Sequence, residues 1–212
     1  MKRISFLLLI LFTSFRFLQA QEECRPLASV SAFQERLKKE AAAIQSIESD
    51  FTQEKYMDVF EEKVVSGGRF YYRQENKIRM DYTRPLDYRI IINGTKLKMV
   101  SEGKSSLVNL GSNPLMNEMK SMLSACMIGD LQSMTASYQL GYFETPAAYI
   151  VHIRPLAKSV QAYIRQIIIT FDKKDLSVRK LRLAENTNDY TEYRFSGKKY
   201  NTLLNDEKFT IR

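Results

Sequence analysis

The chain has few of the residues on which catalytic and metal sites usually depend. Its 212 residues include no tryptophan, one histidine and two cysteines. These cannot supply the four nitrogen and sulfur ligands of a structural zinc site. There is also no G-x-S-x-G nucleophile motif and no glycine-rich phosphate loop. The one histidine, His152, lies within an apolar strand pattern, where a structural role is a better interpretation than a catalytic base. We therefore predict a protein that is not an enzyme and needs no metal or other cofactor.

Clustered positive charge is also missing. The formal net charge is +8, but the basic residues are dispersed singly rather than in runs. A nucleic-acid-binding surface needs a concentrated basic patch or stripe, so we predict no nucleic-acid partner. The hydrophobic fraction of 44% is enough for a sizeable core and excludes a disordered chain.

The N-terminus has the three parts of a secretory signal peptide. Lys2 and Arg3 form the charged start, residues 4–18 form a mostly apolar run, and Ala20 supplies the small residue at the cleavage site. The apolar run is too short for a good membrane span. We predict that residues 1–20 are removed after Ala20 and that residues 21–212 form a single exported domain.

Export permits the two cysteines, Cys24 and Cys126, to form a disulfide. Such a bond would close a loop of roughly 100 residues and would add about 4.7 kcal/mol if unstrained. The alternative is that Cys126 is a small buried apolar residue and Cys24 is unpaired near the terminus. The bond is our expectation, with the alternative left open.

The stretch from Val64 to Val100 predicts an antiparallel meander. Four short segments alternate apolar and polar residues, which is the pattern of strands with one buried face and one wet face. The breaks between them carry turn residues, and Asn93-Gly94 is a strong hairpin signal. The apolar face of this meander includes four candidate ligand contacts, which are Met80, Ile90, Ile92 and Met99.

Two segments have helical periodicity instead. Residues 30–44 carry an amphipathic stripe that needs an apolar surface, and the meander offers one. Residues 115–134 hold five of the nine methionines, and Met116, Met119, Leu123 and Met127 have helical spacing. Methionine suits surfaces that repack around varying partners. We interpret this segment, including Met122, as a soft lid, although a simple core helix pair is the alternative.

The last third returns to strand patterns, for a total near eleven. So large an antiparallel sheet tends to curl or close, and strands that are not separated by helices exclude parallel α/β wrapping. We predict an α+β fold. Its large antiparallel sheet curls into an incomplete, half-open β-barrel, covered on the concave side by the N-terminal helix and the Met-rich helical lid.

Several segments together resemble the periplasmic outer-membrane lipoprotein carrier family, LolA. They are IQSIESDFTQEKY, GGRFYYR, IRMDYTRPLDYRIIINGTKL and, near the C-terminus, DYTEYRFSGKKYNTLLNDEKF. The family order is a first helix, an F-x-Q strand, a Gly-led aromatic strand, and a proline before a strand that ends in D/N-G. The matching positions here are Phe51-Thr52-Gln53, Gly68 to Tyr72, Pro85 and Asn93-Gly94.

The resemblance implies a half-open barrel with an apolar cavity for acyl chains. It further implies a monomeric periplasmic protein that carries lipoproteins from an inner-membrane exporter to an outer-membrane acceptor. Two alternatives stay open: a carrier of another hydrophobic lipid, such as a fatty-acyl or polyene product, and a lipid-sensing scaffold or signalling protein.

The chain departs from the family at one functional position. The strand-end arginine of the best-known members aligns with Gln74, and Arg73 is its neighbour. A shift of one residue points the side chain to the opposite face of a strand. We therefore assign Arg73 and Arg84 only as candidate rim residues for a head group or a protein partner.

Overall fold

The computed structural model describes residues 24–112, 114–185 and 188–211. These residues form one twelve-stranded antiparallel sheet with three α-helices. The strands are β1 (Arg25–Pro26), β2 (Ser46–Met57), β3 (Glu62–Arg73), β4 (Lys77–Arg84), β5 (Tyr88–Asn93), β6 (Lys96–Ser101), β7 (Lys104–Asn109), β8 (Tyr138–Glu144), β9 (Ala148–Pro155), β10 (Gln166–Asp172), β11 (Val178–Ala184) and β12 (Tyr190–Tyr200). The helices are α1 (Val30–Ala43), α2 (Pro114–Ile128) and α3 (Lys158–Gln161), with short 3-10 turns at Asp58–Phe60, Leu110–Ser112, Gln132–Met134 and Glu207–Phe209.

The sheet is open, because its edge strands do not pair with each other. The strand order is β1-β8-β9-β10-β11-β12-β2-β3-β4-β5-β6-β7, so β1 and β7 lie at opposite edges. The predicted α+β fold with an incomplete barrel and helices on its concave side is confirmed. The predicted leader, residues 1–20, lies outside the described residues, as do residues 21–23 of the predicted mature domain.

The meander of β3 to β6 has the register that its alternation predicts. Met80 pairs with Ile90 and Ile78 pairs with Ile92, so these apolar side chains share one face. Strands β3 and β4 approach closely at Gly68, where an added Cβ would lie 1.8 Å from the carbonyl oxygen of Asp81. Only glycine permits that approach. The result is a continuous apolar wall.

Helix α1 does not lie on the meander as its periodicity suggested. Phe33 packs against Tyr149 with ring centroids 4.6 Å apart and against Phe171 at 5.8 Å, so α1 covers β9 and β10 instead. This half of the sheet holds fully buried residues, and Val151 and Ile169 have no exposed surface. The α1 stripe therefore covers fully buried strands and leaves the meander face to another element.

That element is α2, which ends at Ile128 and is followed by Gly129 with φ +78°. The Asp130 N–H donates to the Ala125 carbonyl at 2.9 Å, a left-handed helix cap that glycine favours. An added Cβ at Gly129 would approach Leu37 of α1 to 2.9 Å. The C-terminal end of α2 is thus fixed against α1, and the predicted second helix of the lid is a short 3-10 turn, Gln132–Met134.

The Cys24–Cys126 disulfide is absent, so that prediction is wrong. Both cysteines are free, with Cys24 exposed and Cys126 fully buried on α2. Burial raises the pKa of the Cys126 thiol to about 12, so the group stays neutral. Cys126 is therefore the small buried apolar residue of the alternative interpretation.

The chain after β12 runs across the outer face of the meander, opposite the concave side. Phe209 is fully buried there against Tyr71 and Ile91 in a small second core. The Arg79 Nη1 donates to the Lys208 carbonyl at 3.0 Å. This C-terminal segment covers part of the outer face of the meander. The concave face is therefore the one available to a ligand.

Candidate functional site

The site is an apolar cavity between the meander wall and α2. Its volume is about 260 Å³. The lining residues come from β3 to β6, from β11 and β12, and from the lid helix: Phe70, Ile78, Met80, Tyr82, Ile90, Ile92, Leu97, Leu110, Met116, Met119, Lys120, Leu123, Met127, Leu181, Leu183, Tyr193 and Phe195. Almost all of these side chains are hydrocarbon or thioether, so the cavity suits an apolar ligand.

Seven of the nine predicted acyl-chain contacts line this cavity. They are Met80, Ile90, Ile92, Met116, Met119, Leu123 and Met127. Met99 does not, because it lies two residues beyond Leu97 toward the β6–β7 turn, and its side chain is 41% exposed. Met122 does not either, because it points away from the cavity into the core and is 2% exposed. Met99 therefore shares the apolar face with Leu97 but lies beyond the cavity, whereas Met122 lies on a different face of the helix.

Helix α2 has one face toward the cavity and one toward the core. The cavity face is the stripe Met116, Met119, Lys120, Leu123 and Met127, with spacings of three and four residues. The opposite face carries Met122, Ala125 and Cys126, all buried. The helix is therefore anchored by its C-terminal half, and we infer that its methionine side chains are the movable part of the lid.

One end of the cavity carries hydroxyl groups. The Tyr82 hydroxyl donates to Gln53 Oε1 at 2.6 Å, and the Tyr82 ring stacks on Tyr88 with centroids 4.0 Å apart. Burial raises the pKa of Tyr82, which keeps the phenol protonated and a donor. Tyr193 also lines the cavity. This end is hydrogen-bonded internally and presents ring faces to the cavity.

The other end carries Lys120, a residue that the sequence analysis missed. Lys120 is 9% exposed, and its Nζ donates to the Gly94 carbonyl in the β5–β6 turn at 3.0 Å. Its position was visible in the sequence, since Lys120 falls four residues after Met116 and three before Leu123 on the predicted stripe. A lysine next to an apolar helical stripe is usually assigned to the edge of the apolar face. Here Lys120 is part of the cavity lining.

The two candidate rim arginines are not part of the cavity. Arg73 lies on the outer face, where Nη1 donates to the Leu203 carbonyl at 2.6 Å and Nε approaches Asp206 at 3.0 Å. Arg84 lies at the end of β4 and is exposed. The structure gives Arg73 an internal partner, so its predicted rim role is replaced by a role in holding the C-terminal segment. The predicted rim role of Arg84 stays a prediction.

The outer face also contains a half-buried charge cluster around Asp81. Arg79 Nη2 donates to Asp81 at 2.8 Å and Arg89 Nε at 2.6 Å. Burial favours the protonated acid, but these two guanidinium groups outweigh it and hold the pKa of Asp81 below its ordinary value of 3.8. The cluster stabilises the meander from the side opposite the cavity.

We next consider metal binding, membrane-spanning helices and the histidine among the described residues. None of their histidine, cysteine, aspartate and glutamate side chains form a group of three that could hold a metal ion. No helix in the described ranges is long and apolar enough to cross a membrane. The His152 ring packs at a tilt against Phe143, with centroids 4.7 Å apart, and burial together with the nearby Arg154 charge lowers the pKa of His152.

An open antiparallel sheet cupped around an apolar cavity and covered by a helix defines a lipid-binding class of carrier protein. The family described as outer membrane lipoprotein carrier protein LolA matches residues 42–212. The chain therefore belongs to the LolA family. A search of curated protein sequences finds no match.

Several solved structures are similar to this chain at low sequence identity. An uncharacterized conserved protein from Thermus thermophilus is similar with a TM-score of 0.50 and 12% identity, covering 84% of this chain and 92% of that one. The MucA/MucB complex of Pseudomonas aeruginosa gives 0.50 and 11%, covering 86% of this chain and 62% of the other. A LolA superfamily protein from Nitrosomonas europaea gives 0.45 and 12%, covering 84% and 97%.

Proposed function

We propose that this protein carries the acyl chains of lipoproteins through the periplasm, from an inner-membrane exporter toward an outer-membrane acceptor. The observation that supports it is the apolar cavity of about 260 Å³ between the meander and α2. Family membership supports the lipoprotein as cargo. In this proposal the protein acts as a monomer and catalyses no reaction. It is exported to the periplasm, and its signal peptide is cleaved after Ala20.

The energetics of acyl binding require a cavity that adapts. A buried methylene contributes about 0.8 kcal/mol, so a chain of roughly fifteen methylenes offers about 12 kcal/mol before costs. A binding free energy of about 12 kcal/mol corresponds to a dissociation constant of about 1 nM. A carrier that kept the whole amount would release its cargo too slowly. The cargo must therefore displace contacts that the empty protein already makes.

The methionines of α2 are suited to this exchange. The empty cavity is slightly below the roughly 300–1,000 Å³ of typical ligand pockets, so a long acyl chain needs additional space. Met116 is exposed and Met119 is half-buried, and both belong to the cavity face, whereas Met122 and Cys126 are buried beside that face. Rotation of the thioether side chains can enlarge the cavity while the helix stays anchored.

The experiment is native mass spectrometry of the protein isolated gently from the periplasm of its own cells. We expect a fraction of the protein to carry an acylated lipoprotein, identified by releasing and sequencing the bound species. A matched pair of variants controls for surface adhesion: Met80→Glu in the cavity wall should lose the cargo, and Leu107→Glu on the outer face of β7 should retain it. Leu107 is 61% exposed.

Other outcomes separate the remaining functions. A free lipid without attached protein would favour the carrier of another hydrophobic product. A stable complex with a non-acylated protein would favour the lipid-sensing scaffold. Absence of any acyl-bearing species from wild-type protein would contradict the proposed carrier function.

A further inference from the structure

The cavity contains one positive charge in an otherwise apolar wall. Among the described residues that line it, Lys120 is the charged one. No described carboxylate forms an ion pair with Lys120, and the acceptor its Nζ has is the Gly94 carbonyl at 3.0 Å. Lysine is almost never this deeply buried unless it is paired. The arrangement therefore calls for an explanation beyond packing.

An ammonium group has three donors and no acceptor. The Gly94 carbonyl takes one of them, so the group can also bind the oxygens of an anion. Gly94 is exposed in the β5–β6 turn, so the Lys120 ammonium lies beside a solvent-exposed part of the cavity wall. A buried cation at the mouth of an apolar cavity suits an amphiphile whose charged end remains close to water.

We propose that Lys120 anchors the anionic group of the ligand, a carboxylate or a phosphate attached to the acyl chain. This inference rests on acyl binding in the proposed cavity, and it favours the alternative cargo, a free fatty-acyl lipid, because the ester- and amide-linked acyl chains of a lipoprotein carry no anionic group. The acyl chain runs from the Gly94 turn along Ile92 and Ile90 toward Tyr82. Six residues separate Gly94 from Tyr88, the cross-strand partner of Tyr82, which corresponds to roughly 20 Å of strand.

A purely structural role for Lys120 makes a different prediction. If Lys120 only ties α2 to the β5–β6 turn, its loss weakens the binding of every acyl ligand to the same extent. If it anchors an anion, its loss weakens anionic ligands and leaves neutral ones nearly unchanged. The preference between matched ligands is therefore the quantity to measure.

Isothermal titration calorimetry with dodecanoate, dodecyl phosphate and dodecanol, each below its aggregation concentration, provides that measurement. Wild-type protein should bind each anion at least about tenfold more tightly than dodecanol, since a charge-assisted hydrogen bond in a buried site has this magnitude. Lys120→Met should abolish the preference and change dodecanol affinity by less than about twofold. Lys120→Arg should keep the preference because the positive charge remains.

The control for net charge is Lys104→Met, because Lys104 is exposed on β7. That variant should behave as the wild type. A preference for dodecyl phosphate over dodecanoate would identify a phosphate head group, and the reverse would identify a carboxylate. Both results support the inference.

Two results would overturn it. Equal binding of dodecanol and the anions by the wild type would refute the anchor while leaving the acyl carrier intact. A Lys120→Met variant that loses affinity equally for all three ligands would show a structural tie instead. Failure of the wild type to bind any of the three would refute the carrier function and the inference together.

Discussion

Replacing Met80 with glutamate should remove most of the affinity for acyl chains. Met80 is in β4, the middle of the cavity wall, between Phe70 on β3 and Ile90 on β5. All three side chains line the cavity. Ile90 lies four residues from Gly94, or roughly 13 Å along the strand, so the new carboxyl group is far from the Lys120 ammonium that could neutralise it.

The magnitude follows from the environment. A carboxyl group covered by an acyl chain has no described polar partner in this part of the wall, so it takes up a proton rather than remain charged. Burying even the neutral group without a hydrogen bond costs about 1–3 kcal/mol. Acyl affinity should therefore fall about tenfold to a hundredfold. The empty variant can keep the same group hydrated through the open side of the cavity, so folding should suffer less.

The assay is displacement of a fluorescent fatty acid, with thermal unfolding as the check on folding. Leu107→Glu is the matched control, since the same charge is then added to an exposed site on the outer face. It should change affinity by less than about twofold. A folded Met80→Glu protein that binds like the wild type would refute the assignment of this wall. Lys77→Glu is a poorer control, because Lys77 pairs with Glu75 and Asp206.

Three further predictions concern the framework around the cavity. Iodoacetamide should alkylate Cys24 rapidly in the native protein and Cys126 only after unfolding. The reason is that the Cys126 thiol is buried with a pKa of about 12. Rapid alkylation of both thiols would contradict this packing. Asp81→Asn should lower the free energy of unfolding by about 1–3 kcal/mol at neutral pH. The folded-state pKa of Asp81 lies below 3.8, so the stability that the Asp81 carboxylate contributes is present above pH 3.8. That contribution is lost as the pH falls through the folded-state pKa. The urea-unfolding curves of the wild type and of Asp81→Asn should therefore converge in acid. Gly68→Ala should cost about 3 kcal/mol or more by the same measurement, since its Cβ would meet the Asp81 carbonyl at 1.8 Å; a wild-type midpoint would show that the β3–β4 approach is looser.

The parts of the site that the sequence predicts are those fixed by local periodicity. Alternation in β4 and β5 places Met80 and Ile90 on one face, and the three-and-four spacing in α2 does the same for Met119 and Leu123. These relations depend on residues close in sequence or on one hairpin. Even there, the hairpin turn lies one residue later than the predicted Asn93-Gly94. Asn93 pairs with Lys96, so Gly94 and Thr95 are the turn residues.

Long-range packing decides what the sequence does not predict. The periodicity of α1 identifies an apolar stripe but not which half of the sheet it covers. The C-terminal segment has no strong pattern, so its position over Tyr71 and Ile91 is not predictable from local signals. The same limit explains Cys24 and Cys126, whose separation depends on where β1 and α2 lie in the assembled fold.

The central claim is that acyl chains bind between the meander and α2. A fatty acid with a photoactivatable diazirine near its tail, cross-linked to the protein and mapped by peptide mass spectrometry, tests it most directly. We predict cross-links on α2 and on β4 to β6, and competition by unlabelled fatty acid. The 3-10 turn at Asp58–Phe60 is the built-in comparison, because Val59 and Phe60 are apolar and 83% and 68% exposed. Cross-links confined to that turn, or to the outer face of β7, with none on α2, would contradict the account.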